Sequence, residues 1–205
     1  MTPYQMIKEE IILGKLKPGS IFNEKEYAEK LSISRTPVRE AVLKLSDEGY
    51  IHILPRKGTI ISEISLKEIR SLYEYRLLIE PNIFGFIKKE IPSSWIDDWI
   101  DHFKNSLKNK NDCKNILEDD DKDFHVSLVS FTDNDYIIDE ENKIMDKCLR
   151  IRILSNMENN ERYVSAIMEH LQILDALKRK DMTMCSKLMK EHLIKTINGF
   201  SFIGE

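Results

Sequence analysis

Ser34-Arg35-Thr36-Pro37-Val38-Arg39-Glu40-Ala41 reads as the opening of an amphipathic helix. Ser34 stands at the N-cap position, and Pro37 falls in the first turn, where backbone N–H groups have no intrahelical partner to lose. Val38, Ala41, Val42 and Leu45 recur at i, i+3, i+4 and i+7, a single apolar stripe. The spacing predicts a helix from Arg35 to Glu48, stopped by Gly49. Arg35 and Arg39 sit four residues apart, beside the stripe and outside it.

Upstream, residues 3–13 form a second predicted helix, with Pro3 in its first turn and Gly14 just past its end. Pro18-Gly19 marks a turn. Asn23 followed by Glu26 resembles a capping box and opens a helix to about Leu31. Ser32-Ile33-Ser34 is then a tight connection. Downstream, Ile51-His52-Ile53-Leu54 and Thr59-Ile60-Ile61 read as strands on either side of Pro55-Arg56-Lys57-Gly58, a hairpin. Helix, short turn, helix and hairpin in that order make a winged helix-turn-helix. Arg35 and Arg39 then lie where a major-groove helix offers side chains to base edges, and the arginine fork matches guanine O6 and N7. Arg56 and Lys57 at the hairpin tip reach toward phosphates or the minor groove.

The octapeptide, together with Gly14-x-Leu16-x-Pro18-Gly19, Leu45-x-x-Glu48-Gly49 and Arg56-Lys57-Gly58, resembles the GntR family of bacterial transcription regulators over about residues 5–62. That resemblance implies base contacts from Arg35 and Arg39, phosphate contacts from Ser34 and Thr36, a DNA contact from Lys25, and a Gly58 that lets the wing approach the groove. Ser32 departs from the pattern, because the family usually has glycine in that turn.

The rest of the chain differs in charge and pattern. Residues 1–62 carry 10 Lys and Arg against 8 Asp and Glu, while the remainder carries 21 against 27. Two domains follow: a winged helix-turn-helix over 1–62 and a helical domain over 66–198, joined by a linker at Ser62–Ser65. At 41% hydrophobic and 32% charged residues the chain is an ordinary globular one. It shows no secretory signal and no run of about 18 apolar residues that would span a membrane. Cys113, Cys148 and Cys185 form no CxxC pair, so a cytoplasmic protein with reduced thiols is expected. The fold class is mainly α, the second domain being an all-α bundle of about six helices. These are placed at Leu66–Lys89, Pro92–Leu107 and about 112–131, 134–155, 160–179 and 181–198. Trp95, Trp99 and Phe103 share one helical stripe, read as core.

Histidines fall on the apolar faces of three of these helices. His125 lies beside Phe124, Leu128 and Val129, with Asp121 one turn earlier on the same face. His170 lies among Ile167, Leu171 and Leu174, and His192 among Met189 and Leu193. A lone histidine there reads as a satisfied core residue. Three with a carboxylate call for a compensating cation, since a buried carboxylate needs a positive partner. The donor set suits a divalent metal ion, zinc first, with nickel or manganese also compatible. The acidic run Glu118–Asp123 is no calcium loop: Phe124 occupies the required glycine position and Ser130 that of the bidentate glutamate.

Asp121-x-x-Phe124-His125, His170 and His192, with Arg76-x-x-x-Glu80, also resemble the FCD ligand-sensing domain of one GntR branch. The resemblance implies metal ligation by Asp121, His125, His170 and His192. It further implies effector contacts from Arg76 and Asn134, and a small organic acid as effector. Of Arg150 and Arg152, one is expected to face the cavity. The implied whole is a non-enzymatic, DNA-binding homodimer whose affinity for a near-palindromic double-stranded operator responds to that effector. Two rival readings are a regulator whose metal is purely structural, and a metal-dependent hydrolase with an accessory DNA-binding module.

Overall fold

Thr2 caps the first helix, α1 (Pro3–Ile12), through a reciprocal pair of bonds: its hydroxyl accepts from the Gln5 N–H, and the Gln5 side chain accepts from the Thr2 N–H. The computed structural model describes the backbone of residues 1–56, 58–108, 113–155 and 160–199, and the side chains of these except 113–119, 160 and 161. The chain divides into two compact units, the first centred on Met1–Ser65 and the second beginning at Leu66.

In the first unit, β1 (Ile21–Phe22) precedes α2 (Glu24–Leu31). The Asn23 side chain accepts from the Lys25 and Glu26 N–H groups and donates to the Glu26 carboxylate at 2.7 Å, as the capping signature predicts. The helix ends at Ser32, whose φ of 55° and ψ of 41° lie in the left-handed region. That conformation explains why glycine suits this turn. The next helix, α3, spans Arg35–Asp47; Ser34 occupies its N-cap position with extended backbone, but its side chain makes no capping bond.

Strands β2 (Ile51–Leu54) and β3 (Gly58–Ile61) form the expected hairpin. The sheet has a third member not anticipated from sequence, in the order β1-β3-β2, with Ile21 opposite Ile60 and Ile51 opposite Ile61. Ile7, Ile11, Val38, Val42, Leu45, Ile51 and Ile61 are all at most 1% exposed and make the core of this unit. Burying each such side chain contributes about 1.5–3 kcal/mol before entropy is counted.

The second unit begins with α4 (Leu66–Ile79). The continuous helix expected to Lys89 stops here and tightens into a 3₁₀ stretch over Glu80–Gly85. Pro81 is the reason: it offers no N–H to the ladder, and its ring clashes with the preceding turn. Then come α5 (Ser93–Lys108), α6 (Cys113–Val129), a short 3₁₀ turn at Ser130–Thr132, α7 (Asp135–Leu154), α8 (Asn160–Lys178) and α9 (Met182–Asn198). Phe103, Phe124, Leu128, Ile173, Leu174, Met189 and Leu193 form its core, with Trp95 and Trp99 packed against it. The aromatic stripe of α5 is thus a packing surface, with Trp99 and Phe124 rings 5.4 Å apart. Cys148 and Cys185 are buried free thiols, while the side chain of Cys113 lies outside the described residues. Among the described residues, no helix is long and apolar enough to cross a membrane.

Candidate functional site

In the first unit, the stripe of α3 buries Val38, Ala41, Val42 and Leu45 and so turns the other face of the helix outward. Ser34, Arg35, Thr36 and Arg39 are all exposed on it. Lys25 is exposed near the start of α2, with Glu29 at 3.8 Å. At the hairpin tip Arg56 is exposed with φ of 65°, and Gly58 has φ of 99°. A Cβ at Gly58 would meet nothing within 4 Å, so glycine is favoured there by backbone conformation and not by lack of space. Lys57 lies outside the described residues.

In the second unit, Asp121 and His125 come from one face of α6, His170 from α8 and His192 from α9. One donor atom from each lies within 4.8 Å of the others. His125 Nε2 and His170 Nε2 are 3.2 Å apart, and Asp121 Oδ1 is 3.5 Å from His170 Nε2 and 3.8 Å from His125 Nε2. Nitrogen and carboxylate ligands sit about 2.0–2.2 Å from zinc, so donors sharing one ion are about 3–4 Å apart, as the donors of Asp121, His125 and His170 are. The three imidazoles are 1–2% exposed.

The outer partners fit a metal as well. A ligating histidine commonly gives its other ring N–H to a carboxylate, which fixes the tautomer and the ring orientation. His125 Nδ1 lies 2.6 Å from Glu80 Oε2, and His192 Nδ1 lies 2.7 Å from Glu169 Oε2. With those protons placed, both Nε2 atoms present lone pairs to the shared space. Asp121 is held by Arg152, which donates to Oδ2 and leaves Oδ1 toward the histidines.

The electrostatics follow from these contacts. Burial pushes Asp121 upward, but the Arg152 guanidinium, helped by His125 and His170, holds it well below the usual carboxylate range. Burial is likewise outweighed at Glu80 by Arg76 and His125, which bring it to about 2. At Glu169, the bonds from His192 and Arg162 overcome burial and bring it to about 2. Burial and the nearby His192 lower His170 well below its ordinary value, and burial lowers His192 even against Glu169. Neutral imidazoles are what metal ligation requires.

Arg76 is 1% exposed and donates to both Glu80 oxygens, from Nε to Oε1 and from Nη2 to Oε2 at 3.3 Å. The Asn134 side-chain oxygen accepts from the Tyr136 and Ile137 N–H groups and caps α7. Of the two arginines expected near the cavity, Arg152 reaches Asp121, while Arg150 is buried at 3% exposure. Within the acidic run, Asp120 meets His102 at 2.8 Å and Lys122 meets Asp146 at 2.6 Å.

Sequence reading missed two carboxylates. Glu169 collects Arg162, Ser165 and His192, yet beside a histidine it reads as ordinary surface charge. Glu141 is 0% exposed. Its signal was present, since Glu141, Met145, Cys148 and Arg152 share one side of α7 at helical spacing.

Comparison with known proteins agrees with this architecture. The family described as bacterial regulatory proteins, gntR family, matches residues 3–61, and the FCD domain matches residues 71–195. The HTH-type transcriptional repressor RspR of Escherichia coli K12 is 26% identical over 93% of this chain and 83% of its own. A gluconate operon transcriptional repressor of Bacillus licheniformis is 26% identical over 91% of this chain and 78% of its own. The crystal structure of a GntR regulator from Rhodococcus sp. RHA1 superposes with a TM-score of 0.79 at 19% identity, over 97% of this chain and 95% of that one. At that identity the superposition speaks for the fold.

Proposed function

Because the chain belongs to the GntR family of bacterial regulatory proteins, with an FCD domain as its second half, and is thus a DNA-binding transcriptional regulator, we propose that a small organic acid bound at a metal site in the helical domain controls its grip on DNA. The reading assigns residues 1–62 to DNA binding and 66–198 to sensing and dimerisation. One observation carries it: three buried imidazoles and a carboxylate bring their donor atoms within 4.8 Å of one another.

Asp121, His125, His170 and His192 would hold a divalent ion, zinc in the first instance, with nickel or manganese as alternatives. The ion would supply positive charge and open coordination positions for a carboxylate or hydroxyl oxygen. The chain's own residues do the rest. Glu80 and Glu169 keep the His125 and His192 rings in place, and Arg152 keeps Asp121 ionised with one oxygen free. Arg76, buried beside Glu80, adds a guanidinium suited to a second acid oxygen, and Asn134 is a further candidate effector contact.

On the DNA side, Arg35 and Arg39 would read base edges. Ser34, Thr36, Lys25, Arg56, Lys57 and the Gly58 backbone would fix the wing and helix on the phosphates. A homodimer would present two such helices to a near-palindromic operator in the cytoplasm. The acid alters operator affinity only through its different affinity for the DNA-bound and DNA-free arrangements.

The test uses an operator fragment recovered by selection from random DNA. Operator binding by zinc-loaded protein is titrated with a hydroxy acid, a keto acid and a sugar acid. Gluconate belongs on the panel because it names the operon of one relative's target. At least one acid should shift operator affinity about fivefold or more, and His170→Ala should abolish the shift. Affinities that stay within twofold for the whole panel would leave the metal a structural role only.

A further inference from the structure

Glu141 on α7 is a fully buried carboxyl group, and neither of its oxygens receives a hydrogen bond among the described residues. Its close neighbour is the Glu80 side chain, within hydrogen-bonding reach. Two carboxylate oxygens cannot bond to each other, because both are acceptors. Such a contact is a hydrogen bond only when one of the two acids carries a proton.

Which acid carries it follows from the other partners. Glu80 receives Arg76 on both oxygens and has His125 Nδ1 2.6 Å away, so its charge is compensated. No arginine, lysine or histidine bond among the described residues compensates Glu141. The groups bearing on it are Glu80, Arg76 and Tyr75 from the first stretch of the unit, Asp121 from α6, and Cys148 on its own helix. Only Arg76 among these is a cation, and it is already paired with Glu80. An isolated buried carboxylate costs several kcal/mol, which protonation removes.

We propose that Glu141 is a positioning residue that acts as a carboxylic acid, donating its O–H to Glu80 and so fixing the carboxylate that orients the His125 ring. The chain Glu141–Glu80–His125 then ends at one of the four proposed metal ligands, and its function for the metal rests on the reading in the preceding section. Burial and the Glu80 charge raise Glu141 well above the usual carboxylate range, in keeping with this assignment. Of the other acids in this cluster, Glu80, Asp121 and Glu169 are all shifted the opposite way.

The test has two arms. Infrared spectra of the full chain, chelated and near neutral pH, should show the C=O band of a protonated carboxylic acid that Glu141→Gln removes; identical spectra overturn the assignment. The second arm is zinc affinity by competition with a chelating dye. Glutamine keeps an N–H donor to Glu80, so Glu141→Gln should bind zinc within about threefold of the parent. Glu141→Leu, an apolar side chain with no donor, should bind about tenfold more weakly or worse. Equal affinity of Leu and parent, or equal weakness of Gln and Leu, overturns the positioning role. If the parent itself binds no zinc, the metal reading fails while the infrared arm still decides whether Glu141 holds its proton.

Discussion

His125 Nε2 and His170 Nε2 face each other at 3.2 Å in the interior of the helical unit. With Nδ1 of His125 2.6 Å from Glu80 Oε2, a ring proton on that side leaves Nε2 a lone pair for His170 Nε2–H in the absence of an ion. A divalent cation replaces that one weak bond with coordination to both nitrogens. Zinc added to chelated protein should therefore raise the melting temperature. At a thousandfold excess over the dissociation constant the gain is about 4 kcal/mol, and His125→Ala should remove most of it.

The DNA face makes a separate prediction. Arg39 is exposed on α3 opposite the buried stripe, so Arg39→Ala removes no packing. Its melting curve should match the parent's, while operator affinity should fall by about 1–3 kcal/mol, the worth of a good base contact. Fluorescence anisotropy with labelled operator measures this directly, and affinity within twofold of the parent would falsify the recognition-helix assignment.

At the turn between α2 and α3, Ser32 holds φ of 55°. A left-handed conformation costs an L-residue about 1–2 kcal/mol, and glycine gives back about 0.4–1 kcal/mol through the freer unfolded chain. Ser32→Gly should thus stabilise the first unit by up to about 1.6 kcal/mol, read as a higher midpoint in urea.

The pH dependence of chelated protein should have two stages on the acid side. His170 and His192 are held below their ordinary 6.5, so the unfolded chain binds protons first and stability falls as pH drops below about 6.5. Glu80 and Glu169, both at about 2, contribute stability that is present above the ordinary carboxylate range and lost as pH falls toward about 2. Glu141 has the opposite sign. Its raised value means that stability is lost as pH rises above the ordinary glutamate value of 4.5. Glu141→Gln should therefore melt higher than the parent near pH 8 and close to it near pH 4, as thermal scans across that range would show.

Much of this was readable in the sequence because it rests on periodicity and local chemistry. The α3 stripe, the Asn23 cap and the i, i+4 pairing of Asp121 with His125 each follow from spacing along one helix. What escaped depends on contacts between distant segments. Ile21–Phe22 is too short to show strand alternation and becomes a strand only by pairing with Thr59 and Ile60. Pro81 did announce the end of α4, but the apolar period through Leu77 and Ile83 masked it. Glu169 looks like any helix-surface acid until α9 is brought against it, whereas Glu141 shares the Met145 and Cys148 side of its helix and shows its partner, Glu80, only in the fold. Ser32 shows its strain only in its dihedral angles.

The central claim is that one ion sits among Asp121, His125, His170 and His192. Its most direct test is elemental analysis of protein purified without added metal, beside the His170→Ala variant. The account predicts about one equivalent of a divalent transition metal per parent chain and a marked loss in the variant. Metal-free parent protein that also melts at the same temperature with added zinc and with chelator would contradict it.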